Sequence, residues 1–227
     1  MSAETSDLSG LYNKIKSIVK LIQIFDDFTV LKKTSPIEIE RIVKSLKDPA
    51  ISKIWIKYEK VVHYLAYYPI KIPGVKRLIN IKEILRIFLL LTLIYYILTF
   101  GYILHPKLFP AILNDIKVFF TALSVSFTSG LSLIFLEHRI RSKVTQWESQ
   151  NIKLLQPQLN KLIEGVNELI KVLLSYVKVY NDRSNIKGKF IIELWRGDYS
   201  GLKISSVKKV KKPFSSELLN VYVYEIT

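Results

Sequence analysis

The stretches that decide the fold of this chain are IFLLLTLIYYILTFGYIL at residues 87–104 and VFFTALSVSFTSGLSLIFL at residues 118–136. Neither stretch contains a charged residue, and thirteen residues separate them. A helix of about 20 mostly apolar residues is long enough to cross the hydrocarbon core of a bilayer. The sequence therefore predicts a mainly α-helical integral membrane protein with a two-helix transmembrane hairpin. The alternative is a pair of buried helices in a soluble protein, which the length and the lack of charge disfavour.

The two predicted spans differ in composition. Twelve of the eighteen residues of the first are Leu, Ile or Phe, so we expect it to insert on its own. The second has eleven large apolar residues among nineteen, together with six hydroxyl side chains. We expect it to rely on the first span as a packing partner. Because neither span contains an ionisable residue, an ion-coupled transporter is disfavoured.

Basic residues flank the hairpin on the side of both termini. The residues before the first span are Lys71, Lys76, Arg77, Lys82 and Arg86, and those after the second are Arg139, Arg141, Lys143 and Lys153. The connection contributes only Lys107 and Lys117, and Pro106 and Pro110 predict a tight external turn there. By the positive-inside rule, both termini lie in the cytoplasm and the protein belongs to the cell membrane. The first ten residues have no apolar core of a cleavable signal, so we expect the spans to direct insertion.

Composition points to an anionic partner. The chain has 227 residues and a formal charge of +15, and the excess of basic residues lies in the two flanks of the hairpin. The anionic cytoplasmic leaflet is the nearest partner of that kind. We expect the following residues to contact lipid headgroups: Lys76, Arg77, Lys82, Arg86, Arg139, Arg141 and Lys143. Nucleic acid is the competing partner, which charge alone does not exclude.

Cysteine is absent, and no reactive motif is present. The lack of cysteine excludes disulfides, thiolate nucleophiles and cysteine-ligated metals. The sequence has no phosphate-binding glycine loop, paired-histidine metal helix or nucleophile elbow. The histidines, His63, His105 and His138, fall in different predicted elements and indicate no ligand set. We therefore expect no enzyme activity, cofactor or metal. Many Lys and Ile residues with one Met are also typical of heat-adapted proteins.

The amino-terminal flank, residues 1–70, predicts three helices. Apolar residues from Leu11 to Phe25 recur three and four positions apart and form one stripe on a helix of about 24 residues that begins near Leu8. A capping box at residues 35–38 predicts a short second helix to about residue 47. A second start signal at residues 48–49 opens a third helix, which should end before Pro69. Because only one residue separates these two helices, a helix-turn-helix is disfavoured.

The clearest periodicity in the chain lies after the second span, in residues 138–181. The seam residues alternate spacings of three and four: Ile152, Leu155, Leu159, Leu162, Val166, Leu169, Leu173, Tyr176 and Tyr180. A second row, Ile163, Ile170 and Val177, widens this face. The width favours a bundle in which the first helix is the partner within the chain. A partner protein or a second copy packed on the face at residues 152–180 is the alternative. Pro157 should kink this helix near its start.

The last segment, residues 188–227, changes to period two. Residues 190–195, 202–210 and 219–226 predict three strands in a small antiparallel meander, with a second turn near Pro213. Lysines cluster on the middle strand and the turn that follows it: Lys203, Lys208, Lys209, Lys211 and Lys212. A lysine-rich strand usually protects a sheet edge from aggregation. The functional alternative is a basic surface for lipid headgroups, RNA or an acidic protein.

The second span carries two polar rows. One row contains the hydroxyl residues Thr121, Ser124, Thr128 and Ser132, and another contains the small residues Ala122, Ser126 and Gly130. An oily stripe, Phe120, Leu123, Phe127, Leu131 and Ile134, should face lipid. The small row predicts close packing against the first span. A hydroxyl-lined pore built from several copies is the alternative use of the polar side.

Taken together, these patterns predict a hairpin at residues 87–137 preceded by a basic juxtamembrane segment at residues 71–86. Both flanks should join in one cytoplasmic helical bundle that carries the small sheet. The favoured function is a non-enzymatic anchor or accessory subunit that holds a cytoplasmic partner at an anionic membrane. The alternative is a homo-oligomeric pore or transport subunit whose second span lines the passage.

Overall fold

A computed structural model describes residues 2–32, 34–105, 115–184, 188–211 and 218–226. The helices are α1 (Ser2–Thr29), α2 (Pro36–Leu46), α3 (Pro49–Lys71), α4 (Val75–Leu104) and α5 (Ile116–Ser184). The strands are β1 (Phe190–Leu194), β2 (Ile204–Lys211) and β3 (Leu218–Ile226). The predicted mainly α-helical class with a small carboxyl-terminal antiparallel sheet is therefore confirmed. The predictions for Pro106, Lys107, Pro110, Lys212 and Pro213 fall outside the described residues.

The chain divides into two compact units. The first contains residues 1–67 and 153–227, and the second contains residues 68–152. The first unit thus combines most of both predicted flanks. The second unit contains residues 68–86 and 138–152 together with the apolar hairpin.

The core of the first unit is built by the predicted stripes. On α1 the buried side chains are Ile15, Ile18, Leu21, Ile22 and Phe25, and on α5 they are Leu155, Leu159, Leu162, Val166, Leu169 and Leu173. Ring contacts join the two helices, because Tyr12 and Tyr180 lie 6.1 Å apart. The heptad face considered for a partner or a second copy is therefore largely occupied within the chain.

Gly165 of α5 lies against the ring of Tyr58 in α3. A Cβ added at Gly165 would lie 3.0 Å from the Tyr58 ring. The phenol of Tyr58 also donates a hydrogen bond to Glu168 at 3.0 Å. Glycine at this position thus allows the Tyr58 ring to lie against the α5 backbone, although glycine weakens a helix interior by about 1 kcal/mol.

Two predicted helix limits and one predicted cap were wrong. α1 begins at Ser2, six residues before the predicted start. α3 continues through Pro69 to Lys71, because a proline near the last turn removes one N–H while Tyr68 and Ile72 remain buried. Ser35 precedes α2, but its side chain makes no capping hydrogen bond.

The interruption of α5 lies at Asn151 and not at Pro157. The backbone of Asn151 leaves the helical region, with φ −118° and ψ 19°. Its side-chain amide donates to the carbonyl of Trp147 at 2.9 Å and so satisfies an acceptor at the break. Pro157 lies within the helix that resumes after the break.

The sheet is antiparallel, but it is not a meander. Its strand order is β1-β3-β2, with Phe190 opposite Ile226 and Lys211 opposite Leu218. The meander was wrong because the segment after β1 binds the helices and does not turn directly into a hairpin. Ser200, for example, donates its backbone N–H to Asn167 of α5 at 3.1 Å.

The second unit contains the two apolar helices. α4 and the first part of α5 are long and apolar enough to cross a membrane. The most apolar stretches of α4 and of α5 are almost entirely exposed. Their apolar surface is therefore exposed, unlike the stripes of the first unit.

Candidate functional site

The two helices of the hairpin pack through small and aromatic side chains. Thr92 of α4 and Ser129 of α5 are buried. The hydroxyls of Tyr96 and Ser126 lie 3.3 Å apart and share a hydrogen bond. The ring of Tyr96 also contacts Phe119 edge-on at 6.0 Å. Close packing of this kind holds apolar helices together where no hydrophobic force acts between them.

The small row on α5 takes part in this interface only in its first half. Ala122 and Ser126 are half-buried, but a Cβ added at Gly130 would meet nothing within 4 Å. Ser129, which the sequence analysis did not single out, takes the buried position next to Gly130. The interface therefore continues from Ser126 through Ser129.

The hydroxyl row points away from the partner helix. Its members, Thr121, Ser124, Thr128 and Ser132, are all exposed. Thr121 donates to the carbonyl of Lys117 at 2.8 Å, and Thr128 donates to that of Ser124 at 2.7 Å. These two hydroxyls are therefore satisfied within their own helix. The oily stripe, Phe120, Leu123, Phe127, Leu131 and Ile134, is exposed as well.

The hairpin base, residues 75–86 of α4 and 137–151 of α5, carries the predicted headgroup residues. Glu137 forms ion pairs with Lys82 and with Arg141, the latter at 3.2 Å. Arg86 pairs with Glu83 at 2.6 Å. The other four predicted headgroup residues, Lys76, Arg77, Arg139 and Lys143, form no ion pair with a described residue. Part of the basic charge is thus used to join or brace the helices.

The predicted headgroup residues also differ in their distance from the apolar segments along the helix. At 1.5 Å per residue, Lys76 lies about 17 Å before Ile87, whereas Arg86 lies next to it. Arg139 lies about 5 Å beyond Leu136. The headgroup layer on each side of a bilayer is about 5–8 Å thick. Headgroup contact therefore stays a prediction for these residues, and it depends on how far each one lies from the apolar segments.

Asp48 joins three helices of the first unit. Its Oδ1 accepts the backbone N–H groups of Ala50 and Ile51 at 2.9 and 3.1 Å and so caps α3. Its Oδ2 lies 3.0 Å from Nζ of Lys14 in α1 and accepts a hydrogen bond from Tyr176 of α5. Burial by itself would raise the pKa of Asp48, but these donors lower it to about 2.

Asp26 is a fully buried carboxylate at the end of α1. It accepts hydrogen bonds from the hydroxyls of Thr29 and Tyr199 and from the backbone N–H of Trp195. Burial raises the pKa of Asp26, and the hydrogen bonds oppose that shift. Burial and the Asp26 carboxylate also raise the pKa of Tyr199, so this phenol remains a donor. The cluster fixes the segment after β1 to the helical core.

His63 of α3 lies beside two carboxylates. Its Nε2 is 3.6 Å from Glu40 and 3.8 Å from Glu59, and one ligand atom from each of the three residues lies within 4.8 Å of the others. The imidazole stacks on Tyr67 at 5.9 Å. A histidine and two carboxylates are possible ligands for a divalent cation. All three side chains are partly exposed and pair with one another, and we assign no metal to them.

The lysines of β2 form the basic surface of the first unit. All eight residues of β2 are exposed. Lys208 pairs with Glu193 of β1, whereas Lys203, Lys209 and Lys211 have no acidic partner among the residues that the structure describes. Within the described part of the chain, these lysines form a cationic surface without acidic partners.

The roles of Asp26 and Ser129 and the long-range ties of Asp48 were not predicted from the sequence. Asp48 carried a signal, because an Asp before Pro49 is typical of a helix start. Its ties to Lys14 and Tyr176 join residues distant in the chain and have no local signature. Asp26 likewise meets Trp195 and Tyr199 only in the folded unit.

The described elements define a class: an apolar two-helix hairpin joined to a helical bundle that carries a three-stranded sheet. The chain matches no protein-family model, and no curated protein and no solved structure matches it either.

Proposed function

We propose that the protein is a non-enzymatic two-pass membrane anchor, or accessory subunit, that holds a cytoplasmic partner at an anionic membrane surface. The observation that carries this proposal is the contrast between the two units. The hairpin exposes its apolar residues, whereas the first unit buries its apolar residues in a core of its own. A chain with these two properties is suited to hold a folded module beside a bilayer.

The basic residues supply the second support. Arg86 and Arg139 flank the apolar segments at the depth of the headgroups, and an orientation with both termini inside places them on the anionic leaflet. The free lysines of β2 offer a further cationic surface on the folded unit. An acidic partner and an anionic membrane can thus be bound by different parts of the chain.

The buried carboxylates support a role without catalysis. Asp26 and Asp48 each accept hydrogen bonds from several elements of the first unit. Groups saturated in this way hold helices and loops in place, and a general acid or base needs access to a substrate. The sequence motifs of nucleotide-binding and hydrolytic enzymes are also absent from the chain.

The proposal is tested by native mass spectrometry of the complex extracted in mild detergent. An anchor should come out with a second protein in fixed stoichiometry, and that protein should leave the membrane fraction when the chain is deleted. A partner that remains on the membrane without this chain contradicts the proposal.

Orientation has its own test, because the chain has no native cysteine. Single variants Ser2→Cys and Thr227→Cys should resist a membrane-impermeant thiol reagent in intact cells and react after lysis. A cysteine replacing Lys107 in the connection should react in intact cells. Labelling of either terminus in intact cells contradicts the orientation.

One observation favours the second candidate, a homo-oligomeric pore or transport subunit. The hydroxyl row of α5 faces outward, so several copies could turn these rows toward a shared passage. A closed ring of identical copies in the mass spectrum, and an ion or solute flux in liposomes that Ser124→Leu abolishes, would support the pore. The internal hydrogen bonds of Thr121 and Thr128 favour the anchor.

A further inference from the structure

Among the residues that the structure describes, no strand covers the outer edge of β2. Because the strand order is β1-β3-β2, only one edge of β2 pairs with a strand. Across the described residues, β2 makes no backbone hydrogen bond outside the sheet. A row of N–H and C=O groups on a free edge is a template for another strand.

The side chains of β2 are unusual for a protected edge. Lysine on an edge strand is a common device against aggregation. That device does not explain the apolar residues of the same strand: Ile204, Val207 and Val210 are 40%, 51% and 43% exposed. By contrast, alternate residues of the opposite edge strand, β1, are buried. A partner strand that carries both apolar and acidic side chains would complement these apolar and cationic residues of β2.

The register shows that both faces of β2 carry this mixture. Val207 lies opposite Tyr222, and Val210 lies opposite Leu219, so the two valines point to opposite faces of the sheet. Lys208 shares the face of Val210, and Lys209 shares the face of Val207. A bilayer surface would favour apolar residues on one face and lysines on the other. A strand that pairs with β2 in the plane of the sheet has side chains on both faces, so it can contact the residues on both faces of β2.

Charge decides between a second copy and a different partner. Pairing of β2 with β2 of another copy would bring lysines opposite or beside lysines, which is unfavourable in a sheet. An extended segment rich in Asp and Glu would instead meet Lys209 and Lys211, which lack acidic partners among the described residues. The edge thus selects an acidic strand.

We propose that β2 is a docking edge at which an extended acidic segment of the cytoplasmic partner adds a fourth strand to the sheet. The inference rests on the proposed anchor function, because it names the chemistry of the partner. Main-chain hydrogen bonds to the free edge supply binding, and alternate side chains supply selection. Ile204, Val207 and Val210 contact the apolar positions of the added strand, and the lysines contact its carboxylates.

The test uses the full chain in nanodiscs of zwitterionic lipid and a fluorescent peptide in which Glu alternates with Val or Thr. The peptide should bind saturably below about 1 mM and slow amide hydrogen exchange in residues 204–211. The matched peptide has the same sequence with every backbone nitrogen methylated, which keeps the charge and removes the main-chain donors of both strand edges. It should bind at least about tenfold more weakly, because strand pairing needs those donors.

Charge-reversal variants locate the site. Lys209→Glu with Lys211→Glu should weaken peptide binding at least about tenfold, since two attractions become repulsions. The control is Lys53→Glu with Lys60→Glu, which makes the same change of charge on exposed residues of α3. It should change binding less than about twofold. Circular dichroism checks that both variants keep the fold.

Three results would overturn the docking edge: no saturable binding, equal binding of the methylated peptide, or equal weakening by the α3 control. The last two would show only a nonspecific attraction of an anion to a basic protein. If native complexes contain a partner that survives Lys209→Glu with Lys211→Glu, the docking edge is wrong and the anchor stands. If no partner is present in native complexes, the anchor itself is wrong.

Discussion

The phenol of Tyr176 donates a hydrogen bond to the carboxylate of Asp48, which lies 128 positions earlier in the chain. The same carboxylate caps α3 and pairs with Lys14 of α1. One side chain of low exposure therefore connects α1, α3 and α5. The cluster explains how the two flanks of the hairpin, far apart in sequence, form one unit.

Asp48→Asn should lower the free energy of unfolding of the first unit by about 2 kcal/mol at pH 7, because the depressed pKa of Asp48 reports that much stabilisation of its charged form. The measurement is urea unfolding of the full chain in detergent, followed by tryptophan fluorescence. Asp7→Asn is the control, because Asp7 pairs with Arg183 on the surface and should contribute less than about 1 kcal/mol.

The Asp48→Asn effect should depend on pH with a definite sign. The folded pKa of Asp48 is about 2, below its ordinary value of 3.8, so the stabilisation is present above about pH 4 and is lost as the pH falls toward 2. Wild type and variant should converge in that window. A difference that persists undiminished at pH 2 would mean that the carboxylate acts through packing and not through its charge.

Tyr199→Phe should destabilise the first unit by about 2–3 kcal/mol at pH 7, because it removes a donor from the buried carboxylate of Asp26. Burial already raises the pKa of Asp26, which means that its charged form costs stability as the pH rises above about 4. Loss of the phenol should increase that cost, so the effect should shrink in acid. Thermal unfolding at pH 7 and pH 4 measures both.

Tyr180→Phe is the matched control for this phenol. The ring of Tyr180 packs between Tyr12 and Phe190, and its hydroxyl makes no hydrogen bond with a described residue. The same chemical deletion should therefore change stability by less than about 0.5 kcal/mol. Equal effects of the two variants would contradict the role assigned to Asp26.

Gly165→Ala should destabilise the first unit by about 1 kcal/mol even though alanine is the better helix former. The added Cβ would lie 3.0 Å from the Tyr58 ring, and overpacking costs about 1–3 kcal/mol against a propensity gain of about 1. Gly10→Ala is the control, because nothing lies within 4 Å of its added Cβ. It should stabilise α1 by about 1 kcal/mol. Equal stabilisation by both variants in chemical unfolding would contradict the close approach of α3 and α5.

The sequence predicts the helices and strands of this fold better than it predicts which of them lie next to one another. The length of the two uncharged apolar segments predicts the hairpin. The spacing of apolar residues by three and four positions predicts the stripes of α1 and α5. Both signals are local in the sequence. The strand order is different, since each strand of a small antiparallel sheet alternates in the same way whatever its neighbour. The order is set by contacts such as Ser200 with Asn167, which no local pattern encodes.

The interface between α4 and α5 shows a second limit of prediction from the sequence. The row from Ala122 to Ser126 and Gly130 advances by four residues, and each step rotates about 40° around the helix. After two steps Gly130 has turned about 80° away, whereas Ser129, seven residues from Ala122, differs by about 20°. Residues seven positions apart therefore stay on the face that packs against the other helix, and Ser129 is the buried residue.

Depth in the membrane should differ between the two ends of the hairpin base. A fluorophore on Arg139→Cys, about 5 Å from the apolar segment, should be quenched strongly by lipids with a headgroup nitroxide, and one on Arg77→Cys, about 15 Å away, only weakly. Phe127→Cys, quenched by an acyl-chain nitroxide, confirms insertion. Strong quenching at residue 77 would show that the hairpin base lies along the membrane surface.

Leucine substitutions on α5 should distinguish the buried interface with α4 from the exposed hydroxyl row. Ser129→Leu adds volume at a buried position against α4 and should destabilise the hairpin by about 1–3 kcal/mol. Ser124→Leu adds the same volume on the exposed hydroxyl row and should leave stability nearly unchanged. Thermal aggregation in detergent, followed by size-exclusion chromatography, measures both effects.

The same pair of variants tests the anchor against the pore. An anchor uses α5 to hold the hairpin in the bilayer, so Ser124→Leu should retain the partner in native complexes, because lipid accepts a leucine at least as well as a serine. A pore that is lined by the hydroxyl row would respond in the opposite way: Ser124→Leu would block flux in liposomes while the hairpin remained folded. Because Ser124→Leu leaves the α4 interface intact, a loss of flux without loss of stability would place the function on the outward face of α5.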